Sequence, residues 1–345
     1  MARQILNTLY VMTPHSYLHL ENDTLRVDVE REKKMQVPLH HIGSVVCLGN
    51  IMLSPALIHR CADDGISLVL LDHNGRFKAR LEGSVSGNIL LRQAQHRQAS
   101  DSAFSLNVSR AMIAGKLRNA RQVLLRGARE AADNEDANAL TAAANALRSS
   151  VRNLPLAAEL DSVRGIEGDA AKVYFSALNG IVRRDARQHF GMDGRTRRPP
   201  RDRINALLSF LYSMLMNDCR SALEAVGLDP QLGFLHAVRP GRAALALDLM
   251  EEFRAVMADR LVLTLINRGQ ISANDFVERE GGAVLLEGDA RRAVVVAYQE
   301  RKQEEITHPL LETKMPIGLL PQLQARLLAR HIRGESETYL PFLAR

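Results

Sequence analysis

The sequence predicts an α+β chain of two domains: a small β-rich domain over residues 1–83 and a larger all-α domain over residues 89–345. Three observations carry this. Short apolar and β-branched runs, punctuated by turn residues, fill the stretch before Gly83 and then stop. Gly83 and Gly87 mark a short linker, bounded at residues 84–88. Beyond it, apolar residues recur at helical spacing between capping signals. A chain of 345 residues is long enough for two cores.

The first expected strand is Ile5 to Met12. Tyr17 to Leu20 and Leu25 to Val29 flank the turn-forming Glu21-Asn22-Asp23, which makes them a hairpin. Val37 to Leu48 continues the strand pattern and ends at Gly49-Asn50. Ser54 before Pro55 is a helix start, because the hydroxyl caps and proline suits the first helical position. Gly65 ends that short helix, and Ile66 to Leu71 reads as a buried strand. His73-Asn74-Gly75 turns the chain into Arg76 to Leu81.

Helices are then expected near 88–98, 103–126 and 136–152, the third dense in alanine. The next is expected to open at Glu167 and run to about Phe190. Gly191 to Pro200 is a polar, arginine-rich loop. Asp202 caps a long helix with Ile204, Leu207, Leu208 and Leu211 at helical spacing, and Gly227 ends it. Arg242 to Asn267 reads as one further long helix, closed by Gly269. Gly281-Gly282 precedes a short strand, Ala283 to Leu286. Helices near 290–305 and 321–333 complete the chain, and no internal repeat is visible.

The formal charge is +6, carried mostly by arginine, whose fork suits phosphate. This points mildly to nucleic acid. Aromatics are only 4% and tryptophan is absent, which argues against base-stacking platforms and for backbone contacts. Cys47, Cys61 and Cys219 lack metal-type spacing. Cys61 and Cys219 fall in apolar helical patterns and are expected to be buried thiols of a cytoplasmic protein. Met1-Ala2-Arg3-Gln4-Ile5 has no apolar leader core, and no run is long enough for a membrane span.

Ligand candidates stand in three unusual settings. Glu167 lies among glycines in Arg164-Gly165-Ile166-Glu167-Gly168-Asp169, and His236 ends the turn Gly233-Phe234-Leu235-His236. Asp248 and Glu251 interrupt the apolar run Ala243 to Phe253, three apart and so on one helical face, with Glu252 beside them. Buried carboxylates need a partner. A divalent metal is one; arginines such as Arg183 or Arg242 are another. Glu167 also has a plain reading, as an acid favoured in the first turn of a helix. Hard oxygen donors with one imidazole suit Mg2+ or Mn2+ rather than structural zinc. No zinc or phosphate-loop motif is present. Arg195, Arg197, Arg198 and Arg201, together with Arg183 and Arg184, are expected DNA contacts, a solvated surface being the alternative.

These motifs resemble a known family. Arg198-Pro199-Pro200-Arg201-Asp202-Arg203-Ile204-Asn205-Ala206-Leu207-Leu208-Ser209-Phe210-Leu211-Tyr212 is similar to a signature of the CRISPR-associated integrase, the endonuclease-like subunit of the spacer-acquisition complex. Gly165-Ile166-Glu167-Gly168, Gly233-Phe234-Leu235-His236 and Asp248-Leu249-Met250-Glu251-Glu252-Phe253-Arg254 match its three site motifs in order, and the resemblance spans essentially the whole chain. Pro316-Ile317-Gly318-Leu319-Leu320-Pro321 and Gln324-Ala325-Arg326-Leu327-Leu328-Ala329-Arg330 look most like the type I-C branch.

The resemblance implies a metal on Glu167, His236 and an acid of the 248–251 pair, with Glu251 the direct ligand and Asp248 in support. The family often has aspartate where Glu251 stands, and Ala255 replaces a familial proline. It implies a homodimer joined to a small partner subunit, with the β-rich domain supplying those surfaces. It implies transesterification, in which the 3′-hydroxyl of a captured DNA fragment attacks the CRISPR repeat. Two rival readings are a general metal-dependent DNA nuclease and a non-catalytic DNA-binding scaffold.

Overall fold

Residues 8–72, 77–81 and 89–344 are described in the structure, a computed structural model. The chain divides into two units, Met1–Ser86 and Gly87–Arg345. The expected positions 5–7, the turn His73 to Gly75 with Arg76, and the linker residues 84–88 lie outside the described residues.

The first unit holds strands β1 (Thr8–Val11), β2 (Tyr17–Glu21), β3 (Thr24–Val29), β4 (Glu32–Pro38), β5 (Ser44–Leu48) and β6 (Met52–Leu53). Helix α1 (Pro55–Asp63), β7 (Ser67–Leu71) and β8 (Phe77–Leu81) follow. They form two four-stranded sheets, ordered β1-β5-β7-β8 and β4-β3-β2-β6. The expected hairpin pairs Leu20 with Leu25, and Asn22 takes the left-handed conformation its turn requires. Strands β1, β5 and β7 run parallel, and α1 lies in the crossover from β5 to β7. Ser54 caps α1 by accepting from the Leu57 amide. The core draws on both sheets and α1 through Leu18, Leu25, Val45, Leu57 and Cys61.

The single strand expected over Val37 to Leu48 is instead two, separated by a 3₁₀ turn at Leu39–His41 and placed in different sheets. Pro38 accounts for the break, since it fixes φ and cannot donate to a ladder. All three cysteines are free and buried. Burial pushes the Cys47 thiol up to about 12 and the Cys61 thiol up to about 11, so both are poor nucleophiles.

The second unit is built on α2 (Ile89–Ser100), α3 (Ser102–Glu130), α4 (Asn134–Asn153), α5 (Leu160–Ala177), α6 (Arg184–Arg187) and α7 (Arg203–Ala225). It continues with α8 (Ala244–Met250), α9 (Arg260–Asn267), β9 (Phe276–Arg279), β10 (Ala283–Leu286), α10 (Gly288–Gln303), β11 (Glu305–Thr307), β12 (Lys314–Pro316) and α11 (Leu320–Ile332). Asp101, Asp133 and Asp202 cap α3, α4 and α7 with their carboxylates. Among the described residues, no helix is long and apolar enough to cross a membrane.

Three details depart from expectation. The unit is mostly rather than wholly helical, because β9 pairs with β10 and β11 with β12 in small antiparallel ladders. Gly281 and Gly282, both left-handed, make the turn between β9 and β10. Glu167 does not open a helix: α5 starts at Leu160 and stops at Ala177, so Glu167 sits in its interior and first-turn placement does not explain it. The long helix expected over Arg242 to Asn267 is broken between Met250 and Arg260. Glu251 N bonds to Asp248 O (3.3 Å) and Phe253 N to Met250 O (3.0 Å), a tight turn that passes into a wide π-helical turn over Arg254–Asp259. Such wide turns concentrate at functional sites.

Candidate active site

Asp248 organises one side of the site. Its carboxylate is fully buried and accepts from the backbone amides of Phe234 (2.6 Å), Leu235 (3.0 Å) and His236 (3.0 Å). It also meets His236 Nδ1 at 2.6 Å. Gly233 makes this possible, because a Cβ there would lie 2.6 Å from Asp248 Oδ2 and 2.8 Å from the Ala244 carbonyl carbon. When the imidazole is neutral, the carboxylate on Nδ1 favours the tautomer with its proton there, which leaves the Nε2 lone pair for a ligand. Nε2 in turn lies 4.0 Å from Glu251 Oε1.

Lys116 of α3 reaches between the two remaining acids. Its ammonium pairs with Glu167 Oε1 and lies 2.8 Å from Glu251 Oε2. Arg254 Nε lies 2.9 Å from the same Glu251 oxygen, which is buried and short of a well-aligned hydrogen bond. Burial pushes the Glu251 carboxyl up, but Arg254, Lys116 and His236 outweigh it and hold it down at about 2. Glu251 is therefore an anion surrounded by cations. The acids' partners are thus Lys116 and Arg254, whereas Arg183 pairs with Asp185.

Glu167 and Glu251 share the Lys116 ammonium, and His236 Nε2 faces the other Glu251 oxygen; two carboxylates and one imidazole are the kind of donors that suit a hard divalent ion. Among the described residues no three acid, imidazole or thiol groups close into a cage, since Glu167 is turned to Lys116.

Behind Glu167 lies a cavity of about 30 Å³ lined in part by Lys116, Tyr174, Arg197, Tyr212 and Arg254. Arg254 stacks on the Tyr212 ring at 4.4 Å, and the Tyr174 and Tyr212 hydroxyls both donate to buried Asp259. Sequence reasoning missed Lys116, Tyr174, Tyr212 and Asp259 as site neighbours. Arg254 carried a readable signal, three residues after Glu251. Lys116 carried none, being 51 residues from Glu167.

Residues 9–300 match the family model described as CRISPR associated protein Cas1. The chain belongs to the Cas1 family. A protein of Moorella thermoacetica named CRISPR-associated endonuclease Cas1 1 is 55% identical, over 99% of each chain. One of the same name from Chlorobaculum tepidum is 47% identical, again over 99% of each. A solved casposase bound to integration product shares the fold, with a TM-score of 0.82 and 21% identity over 97% of this chain and 92% of that one.

In this Cas1 chain the arginines expected at DNA divide into two groups. Arg197 and Arg198 are exposed, and Arg197 lines the cavity beside Glu167. Arg195 is half-buried and donates to Thr196 O, Asn205 Oδ1 (2.7 Å) and Ser209 Oγ (3.2 Å). Arg201, Arg183 and Arg184 are exposed as well but have protein partners: Arg201 donates to Gly281 O (2.6 Å), Arg183 pairs with Asp185 and Arg184 with Asp133. Glu252 is engaged by other partners, Gln324, Tyr339 and Phe342. Burial pushes its carboxyl up to about 8 against the hydrogen bonds of Tyr339, Phe342 and Gln324.

Proposed function

We propose that this Cas1 chain is a metal-dependent DNA integrase of CRISPR spacer acquisition. The observation that carries the reading is His236, fixed through Nδ1 by Asp248 and presenting Nε2 to Glu251. Glu167, His236 and Glu251 would hold the ion. Lewis-acid polarisation of the scissile phosphodiester, and stabilisation of the departing 3′-oxygen, are what Mg2+ or Mn2+ supplies there when bound. Asp248 orients the imidazole. Lys116 and Arg254 place positive charge where the attacked phosphate becomes more negative.

The 3′-hydroxyl of a captured fragment forms a new P–O bond at the repeat boundary while the old one to the repeat's 3′-oxygen breaks. The attacking hydroxyl loses its proton and the departing oxygen gains one. One phosphodiester replaces another, so no nucleotide energy source is needed. Exposed Arg197 and Arg198 would contact DNA phosphates. Two ends of a fragment need two sites, which supports a homodimer, joined by a small partner subunit on surfaces of the first unit. Pro316–Pro321 and Gln324–Arg330 support a type I-C relationship.

The relatives' name, endonuclease, supports a second reading in which water is the nucleophile on the same donor set. A strand-transfer assay on a supercoiled, repeat-bearing plasmid separates the two. Joined products that require Mg2+ or Mn2+ are expected; cut products alone would leave only the nuclease.

A further inference from the structure

The turn carrying Glu251 is held from behind by a distant part of the chain. Val256 N bonds to Phe253 O (3.1 Å), not to Glu252 O, its partner in a regular α-helix. Glu252 O is freed by that shift, and Asn119 Nδ2 of α3 donates to it at 2.8 Å. The same amide donates to Phe342 O (2.9 Å), and Asn119 Oδ1 accepts from Ala344 N (2.7 Å). The Glu252 carboxyl group accepts from Tyr339 Oη, Phe342 N (2.7 Å) and Gln324 Nε2 (3.0 Å). Gly115, one turn before Asn119, gives the segment room: a Cβ there would lie 2.8 Å from Pro341 Cβ. Glu252 and Asn119 are both fully buried.

We propose that segment Tyr339–Ala344 is a positioning device for the metal ligand Glu251, acting through Glu252; this rests on the ligand reading given above. Helix α3 works on both sides of the same turn. Lys116 pairs with the Glu251 carboxylate, while Gly115 and Asn119 hold the segment against Glu252. With the segment or Asn119 gone, Glu252 O takes back Val256 N, the wide turn relaxes toward regular helix, and Glu251 swings away from His236. The matched region of the family model ends at residue 300, so the segment lies outside it.

The test uses the full chain, a chain ending at Glu337, Asn119→Ala, and Glu251→Gln as control. Two quantities are read: Mn2+ affinity by electron paramagnetic resonance titration, and amide hydrogen exchange over residues 251–257. Truncation is expected to weaken Mn2+ binding about 10–100-fold, the range for removing a group that orients a ligand, and to speed that exchange. DNA affinity is expected to hold. If the truncated chain fails to melt cooperatively, Asn119→Ala decides on the same two readouts. Wild-type Mn2+ affinity and wild-type exchange in a folded variant would overturn the proposal. Unchanged Mn2+ binding in Glu251→Gln would instead refute the ligand reading, and exchange alone would then decide whether the segment sets this turn.

Discussion

Asp248 and His236 meet through Nδ1 at 2.6 Å while the same carboxylate gathers three consecutive backbone amides of the His236 turn. One buried side chain thus fixes both the position and the tautomer of the imidazole. Asp248→Asn keeps the shape but offers a single acceptor oxygen to four donors. Strand transfer is expected to fall about 10–100-fold, with DNA affinity unchanged in a gel-shift titration. Equal activity in the variant would show that Nε2 needs no such anchoring.

Gly233 tests the same contact from the backbone side. Its φ is not left-handed, so the constraint is space alone: an added Cβ would meet Asp248 Oδ2 at 2.6 Å and Leu245 N at 2.9 Å. Gly233→Ala is expected to destabilise by about 1–3 kcal/mol, the usual cost of overpacking. It should also lower activity, because the turn must move off Asp248. Thermal melting and strand transfer measured together would reveal a tolerant site if neither changed.

Much of this site was legible because its three motifs each break a local rule. A histidine follows a tight glycine turn, acids sit in an apolar run, and an acid sits among helix-interior glycines. The break after Met250 was not legible. Apolar periodicity runs on through Leu245, Leu249, Phe253 and Val256, and a wide turn adds no glycine or proline to mark itself. Lys116 was hidden for a different reason. It reads as one more cation on an amphipathic helix until tertiary packing sets it between Glu167 and Glu251. Strands β11 and β12, of three residues each, are too short to show a period of two, and β9 sets its apolar Phe276 and Val277 side by side rather than alternating them with polar residues.

The arginine-rich loop should separate by how its guanidinium groups are engaged. Arg197 and Arg198 are exposed, whereas Arg195 is spent on Asn205 and Ser209 and stacks on Tyr212 at 5.3 Å. Neutralising both Arg197 and Arg198 is expected to flatten the salt dependence of DNA affinity by roughly one unit per lost phosphate contact. Arg195→Ala should instead lower the melting temperature and leave that slope nearly intact. An unchanged slope in the first variant would assign those arginines to solvent.

Asp259 gives the helical unit a pH dependence of defined sign. Burial pushes its carboxyl from 3.8 up to about 6, and the Tyr212 and Tyr174 hydroxyls, Arg254 and Arg195 pull it back only in part. The folded state therefore prefers the protonated acid more than the unfolded chain does. Its contribution to stability is fully present below about pH 3.8 and is lost as pH rises through about 6. A rise of about two units corresponds to roughly 3 kcal/mol across that window. Asp259→Asn removes the titration but keeps the shape, so the stability of wild type relative to the variant should fall by about that much between pH 4 and 7. Chemical denaturation at half-unit pH steps measures it. A difference that stays flat, or that grows with pH, would mean the two tyrosines hold the carboxylate ionised in the folded state.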